Sequence, residues 1–301
     1  MSRAARANGL ITAGAVIALL MVVIALLAPL LAPFAADAGS ATHPEIALQA
    51  PSLRHLFGTD QVGRDVFSRV LYGARVSPLI ALLVLLIACA VGVPLGVAAG
   101  YFGGVTDEII MRVTDVFLAF PPLLLALAFA AVLPASLTSL TIAIAITWWP
   151  WYTRLLRGQA ASVAGRPYVE ACRALGIPRW RILLRHVLPN SVTPLIVQVS
   201  LDAGAVILTT SALSFLGLGA QDPVPDWGLM VAEGENYFTT QWWLVTFPGL
   251  AILVTALAFN LLGDGLRDVL DPRSGWSVPT GKTGWSVPTG KRGRPGETAD
   301  P

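Results

Sequence analysis

The chain has 301 residues, of which 55% are hydrophobic and 13% charged, with a mean hydropathy of +0.68. A soluble domain carries about 25% charged residues, so this balance excludes an ordinary soluble fold and points to a membrane protein. The net charge is only +2, no nucleic-acid partner is expected, and no metal cluster or cofactor motif stands out. Cys89 lies in an apolar run and Cys172 in a basic interval, so both read as free thiols.

Arg3 and Arg6 precede an uncharged run from Gly9 to Leu31. That run exceeds the ~20 residues needed to cross a bilayer core. A cleaved signal peptide, the competing reading, would have a shorter apolar core of about 7–15 residues. Residues 33–49 form a Pro- and Ala-rich connector. Residues 56–75 read as a turn and then an amphipathic segment with Val62, Val66, Phe67 and Val70 on one side, a solvated interfacial helix.

Five more apolar spans are predicted. Pro78 to Ala99 is uncharged. Thr106, Asp107 and Glu108 give an N-terminal capping signal for a helix to about Leu133, which Pro121-Pro122 would kink. Leu137 to Leu156 carries Pro150 among Trp148, Trp149 and Trp151. Thr193-Pro194 opens a span to Leu216. The last runs from about Trp243 to Leu262, behind the interfacial pair Trp242-Trp243.

Six spans place both termini on one side. Assigning residues 1–8, 101–112, 154–190 and 263–301 to the inside leaves only Arg54, Arg64, Arg69 and Arg75 outside, out of 20 Lys and Arg. The positive-inside rule then makes the inside cytoplasmic. Asp60 and Asp65 partly offset the four outer arginines.

Gly165 to Asn190 is the long basic interval between two apolar spans. Its punctuation predicts two short helices. Pro167 suits a first helical position, Gly176 a left-handed residue past a helix end, Pro178 a second start and Pro189 its end. Tyr168, Ala171, Cys172 and Leu175 share one face, and Trp180, Leu183, Leu184 and Val187 repeat the spacing. Glu170 sits in the first turn, where it suits the helix dipole. The competing reading is a loop that is helical without further role.

Asp115 and Asp202 fall inside predicted spans, where carboxylates are costly. Asp115 has Arg112 within pairing distance on a helix. Asp202 has no evident partner nearby and either faces an aqueous passage or makes a buried hydrogen bond. Thr210 lies eight residues on, so the two project within about 80° of each other. After residue 273 the tail repeats GWSVPTGK, is rich in Gly, Pro and Thr, and reads as disordered. Its Gly281-Lys282-Thr283 imitates a phosphate loop, but Trp276 stands where Gly is needed, and no strand precedes it.

Several stretches resemble one family. Glu170-Ala171-Cys172, Gly176 and Leu188-Pro189 match the spacing of the EAA loop of ABC importer permeases, E-A-A-x3-G-x9-I-x-L-P. Cys172 replaces the second Ala, and His186 stands where Ile is usual. The segment GTDQVGRDVFSRVLYGAR resembles the C-type subunit of dipeptide, oligopeptide and nickel permeases. Ala212 to Gly219, followed by Pro223, Pro225, Trp227 and Gly228, is similar to the same branch, as is Asn260 to Arg273; the branch commonly carries Glu where Thr210 stands.

The resemblance implies an all-α polytopic protein of the type I ABC importer permease fold. It has six transmembrane helices and a cytoplasmic helix-turn-helix coupling loop at 165–190. The expected parts are 1–32 with the first span, 33–75 as an extracytoplasmic connector, 76–273 as a five-helix core, and the tail 274–301. Tyr168, Glu170, Ala171, Cys172, Leu175, Gly176, Leu188 and Pro189 would form the ATPase-coupling loop, and Asp202 and Thr210 would border the passage. Expected partners are a B-type permease, two cytoplasmic ABC ATPases, an extracytoplasmic substrate-binding protein and the lipid bilayer. The expected cargo is a peptide or a related solute such as nickel or glutathione, moved across a bacterial inner membrane. The chain itself would do no covalent chemistry and hold no cofactor. An intramembrane enzyme and a non-transporting scaffold are the alternatives. Against the enzyme, none of His43, His55 and His186 lies within a span.

Overall fold

The computed structural model describes residues 3–270, so the tail 274–301 with its repeated GWSVPTGK lies outside the described residues. Eleven α-helices are described: α1 (Arg3–Leu31), α2 (Val66–Phe102), α3 (Gly104–Leu118), α4 (Pro122–Val132), α5 (Leu137–Ala164), α6 (Pro167–Ala174), α7 (Arg179–Ile182), α8 (Leu188–Ser191), α9 (Thr193–Phe215), α10 (Trp227–Gly234) and α11 (Trp243–Leu270). A π turn, Leu183–Val187, links α7 to α8. Among the described residues the only β pairing is an isolated bridge, Thr59 with Asp65.

Among the described residues four helices are long and apolar enough to cross a membrane: the Ile11–Leu31 part of α1, α2, α9 and the Trp243–Arg267 part of α11. The bent pair α3 and α4 is apolar enough to count as a fifth if the two form one broken span. The expected sixth span falls on α5, a helix of 28 residues that carries Thr138, Ser139, Thr141, Thr147, Thr153 and Arg154 among its apolar positions. Much of α5 is buried inside the protein rather than turned outward. Leu140, Ile144, Tyr152, Leu156 and Ala160 are all fully buried.

The close approach of α2 to α5 depends on glycines four residues apart. A Cβ on Gly92 would stand 2.6 Å from the Trp149 carbonyl oxygen, and one on Gly96 would stand 2.5 Å from that of Thr153. Gly100 meets Arg157 in the same way. Small residues at this spacing let two backbones meet where no hydrophobic effect drives helices together. Thr153 Oγ donates across the contact to the Gly92 carbonyl at 3.2 Å.

Several expected boundaries move. α2 starts at Val66, not near residue 78, and runs through Pro78 and Pro94. Asp65 caps it, its carboxylate accepting from Ser68 N and Ser68 Oγ at 2.8 and 2.7 Å. The segment before it is not a solvated interfacial helix. Asp60, Arg64, Asp65 and Arg69 are all buried, paired with one another or with distant residues. Thr106 caps nothing, since α3 opens at Gly104 after Gly103, whose φ is 64°. Asp107 instead accepts from Arg157 Nε and Nη2 at 2.9 and 2.6 Å. Pro121-Pro122 breaks the helix, turning the chain by 86°, where a kink was expected. Two consecutive imides remove two donors and disfavour the α region before each proline, which suffices for a full break.

Candidate functional site

The interval 165–190 folds as two short helices and a proline-adapted third. Pro167 lies in the first turn of α6. Gly176 has φ +74° and closes α6 with a Schellman pair: its own N–H donates to Arg173 O at 3.0 Å, and Ile177 N–H to Cys172 O at 3.2 Å. Pro178 precedes α7 as its cap. Pro189 does not end the helix as expected. The π turn before it widens the ladder, with Leu188 N–H reaching back to Leu183 O, so α8 continues through Pro189 to Ser191. The wider turn accommodates the missing proline donor and its ring, which would otherwise collide with a carbonyl of the preceding turn.

The expected apolar faces divide in two. Val169, Ile182 and Val187 are fully buried, with Cys172, Ile177, Leu183 and Leu188 half-buried against the same core. Tyr168, Ala171, Leu175, Trp180 and Leu184 point outward; Leu175 is 80% exposed and Trp180 58%. Cys172, Leu183 and Val187 therefore part from the other members of their predicted apolar faces and support the outward ones from beneath. Periodicity identifies an apolar side of a helix, but not which edge of it the same chain covers.

The exposed apolar residues are framed by Arg166, Arg173, Arg179, Arg181 and Arg185, and Glu170 is the one acidic group of the interval. Arg181 lies over the Trp180 ring at 5.4 Å, and Arg173 over the Tyr101 ring at 5.3 Å, tying the interval to the end of α2. The Tyr168 and His186 rings meet edge to face at 6.4 Å, joining α6 to the π turn. The result is an outward, apolar surface with a basic rim, the kind of patch that marks a docking site.

Asp202 and Thr210 share α9 but not an environment. Asp202 is half-buried and accepts a hydrogen bond from Gln198 Nε2 at 2.9 Å, one turn back. Thr210 is 3% exposed, with Oγ donating to Ile207 O at 2.9 Å. Asp115 pairs with Arg154 of α5 rather than Arg112, which instead pairs with Glu108 at 3.8 Å. A contact across helices outcompetes the local pair because α3 lies along α5.

Sequence reasoning missed a buried polar cluster at the start of α2. Arg64 Nε donates to Asp60 Oδ2 at 2.7 Å and its Nη1 to Asp222 Oδ1 at 2.6 Å. Arg69 Nη2 reaches Glu233 Oε2 of α10 at 3.4 Å. The Asp65 carboxylate also accepts from His55 Nδ1–H at 3.0 Å, and the Asp65 backbone N–H donates to Asp37 Oδ2 at 2.8 Å. Burial opposes the charge on Arg64, but hydrogen bonds and attraction from Asp222 and Asp60 more than restore it and raise its pKa. Burial pushes the Glu233 carboxyl above its ordinary range, against the pull of Arg69 and Arg64. Trp227, fully buried, donates through its indole N–H to Val70 O at 3.0 Å, and Ser77 Oγ donates to Asp226 Oδ2 at 2.8 Å. GTDQVGRD and the start of α2 thus clasp the segment from Asp222 to Glu233. Alternating opposite charges within a few residues were the available signal.

Residues 92–275 match the model of the family described as binding-protein-dependent transport system inner membrane component. The chain belongs to this family. A probable D,D-dipeptide transport system permease protein of Escherichia coli (strain K12) is 48% identical over 270 residues, 90% of each chain. A dipeptide transport system permease protein of Alkalihalophilus pseudofirmus is 43% identical over 266 residues, 88% of this chain and 86% of that one. A glutathione transport system permease protein of Pectobacterium atrosepticum is 43% identical over 255 residues, 85% and 84% of the two chains. Membership in a family of inner membrane components makes this a multi-pass permease subunit of an ABC importer. It favours that reading over the intramembrane enzyme and the scaffold.

Proposed function

We propose that this permease subunit passes peptides inward across the cytoplasmic membrane, with both termini and the 165–190 loop in the cytoplasm. Six spans, α5 among them, accommodate that arrangement. A B-type permease completes the passage, two ABC ATPases dock beneath, and a substrate-binding protein delivers cargo from outside. Tyr168, Glu170, Ala171, Cys172, Leu175, Gly176, Leu188 and Pro189 form the coupling loop. Asp202 borders the passage, with Thr210 behind it. The names of the relatives, two of them dipeptide permeases, support a peptide cargo. Transport is a population shift between inward- and outward-open states, biased by nucleotide on the ATPases.

The observation that carries the coupling role is the outward apolar face of α6 and α7, with Leu175 and Trp180 more than half exposed inside a basic rim. Leu175→Glu and Trp180→Glu place charge on that face without touching its buried side. Each variant should insert normally, lose the ATPases in a detergent pull-down, and stop uptake of labelled dipeptide in cells. Retention of the ATPases by both variants would remove the loop from the coupling path. Reporter fusions after Arg273 and within 34–55 test the orientation, and a C-terminal reporter active only outside would refute it.

A further inference from the structure

Asp202 lies near the middle of α9, in a stretch apolar enough to cross a membrane. The groups acting on it are Gln198 and Tyr152, and no cation pairs with it among the described residues. A lone carboxylate at that depth is expensive unless something compensates its charge. Gln198 Nε2 satisfies one lone pair at 2.9 Å. Tyr152 of α5 is fully buried, and its hydroxyl is left without a close hydrogen-bond partner, though it stands near enough to act on the Asp202 carboxylate. One neutral amide donor thus backs the carboxylate, while its half-exposed side is left without a positive partner.

At about 100° per residue, Gln198 and Thr209 lie within about 40° of Asp202 on α9, whereas Thr210 lies about 80° away, on the buried side. Ala205 and Leu208 are exposed beside this polar line, so it runs along the edge of the surface that α9 turns away from its own chain.

We propose that Asp202 binds the α-ammonium group of a peptide in transit. The proposal rests on the peptide-permease reading and names the chemistry of recognition at this site. An ammonium supplies the missing charge, and every unmodified peptide carries one regardless of its side chains. A multivalent metal is disfavoured by the donor set, since no three His, Cys, Asp or Glu residues come together among the described residues. One carboxylate offers enough attraction to admit the group and too little to trap it, as conduction through a passage requires.

The test uses the whole transport complex with Ala205→Cys as a reporter one turn from Asp202, in a Cys89→Ala/Cys172→Ser background. Labelling by a small charged methanethiosulfonate is followed with free-amine dialanine or N-acetyl-dialanine present. The expected result is protection by dialanine but not by the acetylated form. Asp202→Asn should raise the half-protecting concentration about tenfold or more, with Asp202→Glu closer to the parent. Equal protection by the two peptides, unchanged protection in Asp202→Asn, or a reporter that never reacts would overturn the proposal. Uptake of dialanine by the unmodified complex separates the two levels. If uptake is present, such a result removes only the ammonium site. If uptake is absent with all partners expressed, the peptide-permease reading itself falls.

Discussion

Arg64 Nη1 donates to Asp222 Oδ1 at 2.6 Å, joining the turn before α2 to the segment between α9 and α10. Arg64 is 2% exposed, while the Asp222 side chain is 62% exposed. The two ends of this bond should therefore respond very differently to mutation. Arg64→Gln leaves Asp60 buried without its principal cation, which costs about 3–5 kcal/mol. Asp222→Asn touches only the solvated end and costs about 0–1 kcal/mol. Thermal unfolding of the purified subunit in detergent would show the contrast, and equal losses would mean that the buried pair is not the anchor.

Glu233 gives the same clasp a pH dependence. Its folded pKa lies above the ordinary value of 4.5, chiefly because of burial. Between those two values the folded state holds a proton that the unfolded state has released, so stability falls as pH rises through that window. Acidification from neutral pH should stabilise the protein until about pH 4.5, as far as this group is concerned. In lipid nanodiscs, the slope of Tm against pH should flatten in Glu233→Gln, and an unchanged slope would assign the effect elsewhere.

The α2–α5 contact predicts a steric response at Gly96. A Cβ there would stand 2.5 Å from the Thr153 carbonyl oxygen, a backbone atom that cannot rotate away. Gly96→Val should force the helices apart at a cost of about 1–3 kcal/mol or more. Gly103→Ala is the control, because a Cβ there meets nothing within 4 Å, although its φ of +64° adds local strain. Denaturation of the two variants in the same detergent should rank Gly96→Val as the less stable, and the reverse order would show that the glycine stripe does not set the spacing.

What the sequence displayed most clearly was local chemistry. Pro167 and Gly176 are used as read, because a first-turn proline and a positive-φ glycine depend on the backbone alone. Pro189 and Thr106 were misread for the complementary reason. A π turn can absorb a proline, and Gly103 preempts a threonine cap, and both outcomes are decided by the preceding turn. The clasp was hidden because Arg64 and Asp222 are 158 residues apart and their burial depends on packing. Charge in GTDQVGRD suggests solvent until the partner strands of chain are in place. The glycines at 92, 96 and 100 went unremarked in the sequence, because their meaning required the α5 backbone opposite them.

Gly176 bears most directly on the central claim that the 165–190 loop couples this permease to its ATPases. Its φ of +74° sets the angle between α6 and α7, and a Cβ at that position would meet nothing within 4 Å, so backbone conformation is the only obstacle to substitution. A β-branched residue resists that conformation by about 1–2 kcal/mol, whereas Asn tolerates it. The decisive measurement is ATPase co-purification together with labelled-dipeptide uptake for Gly176→Val and Gly176→Asn, at matched membrane levels. The account predicts that Gly176→Val loses both signals while Gly176→Asn keeps most of each. Full ATPase retention and full uptake in Gly176→Val would contradict it.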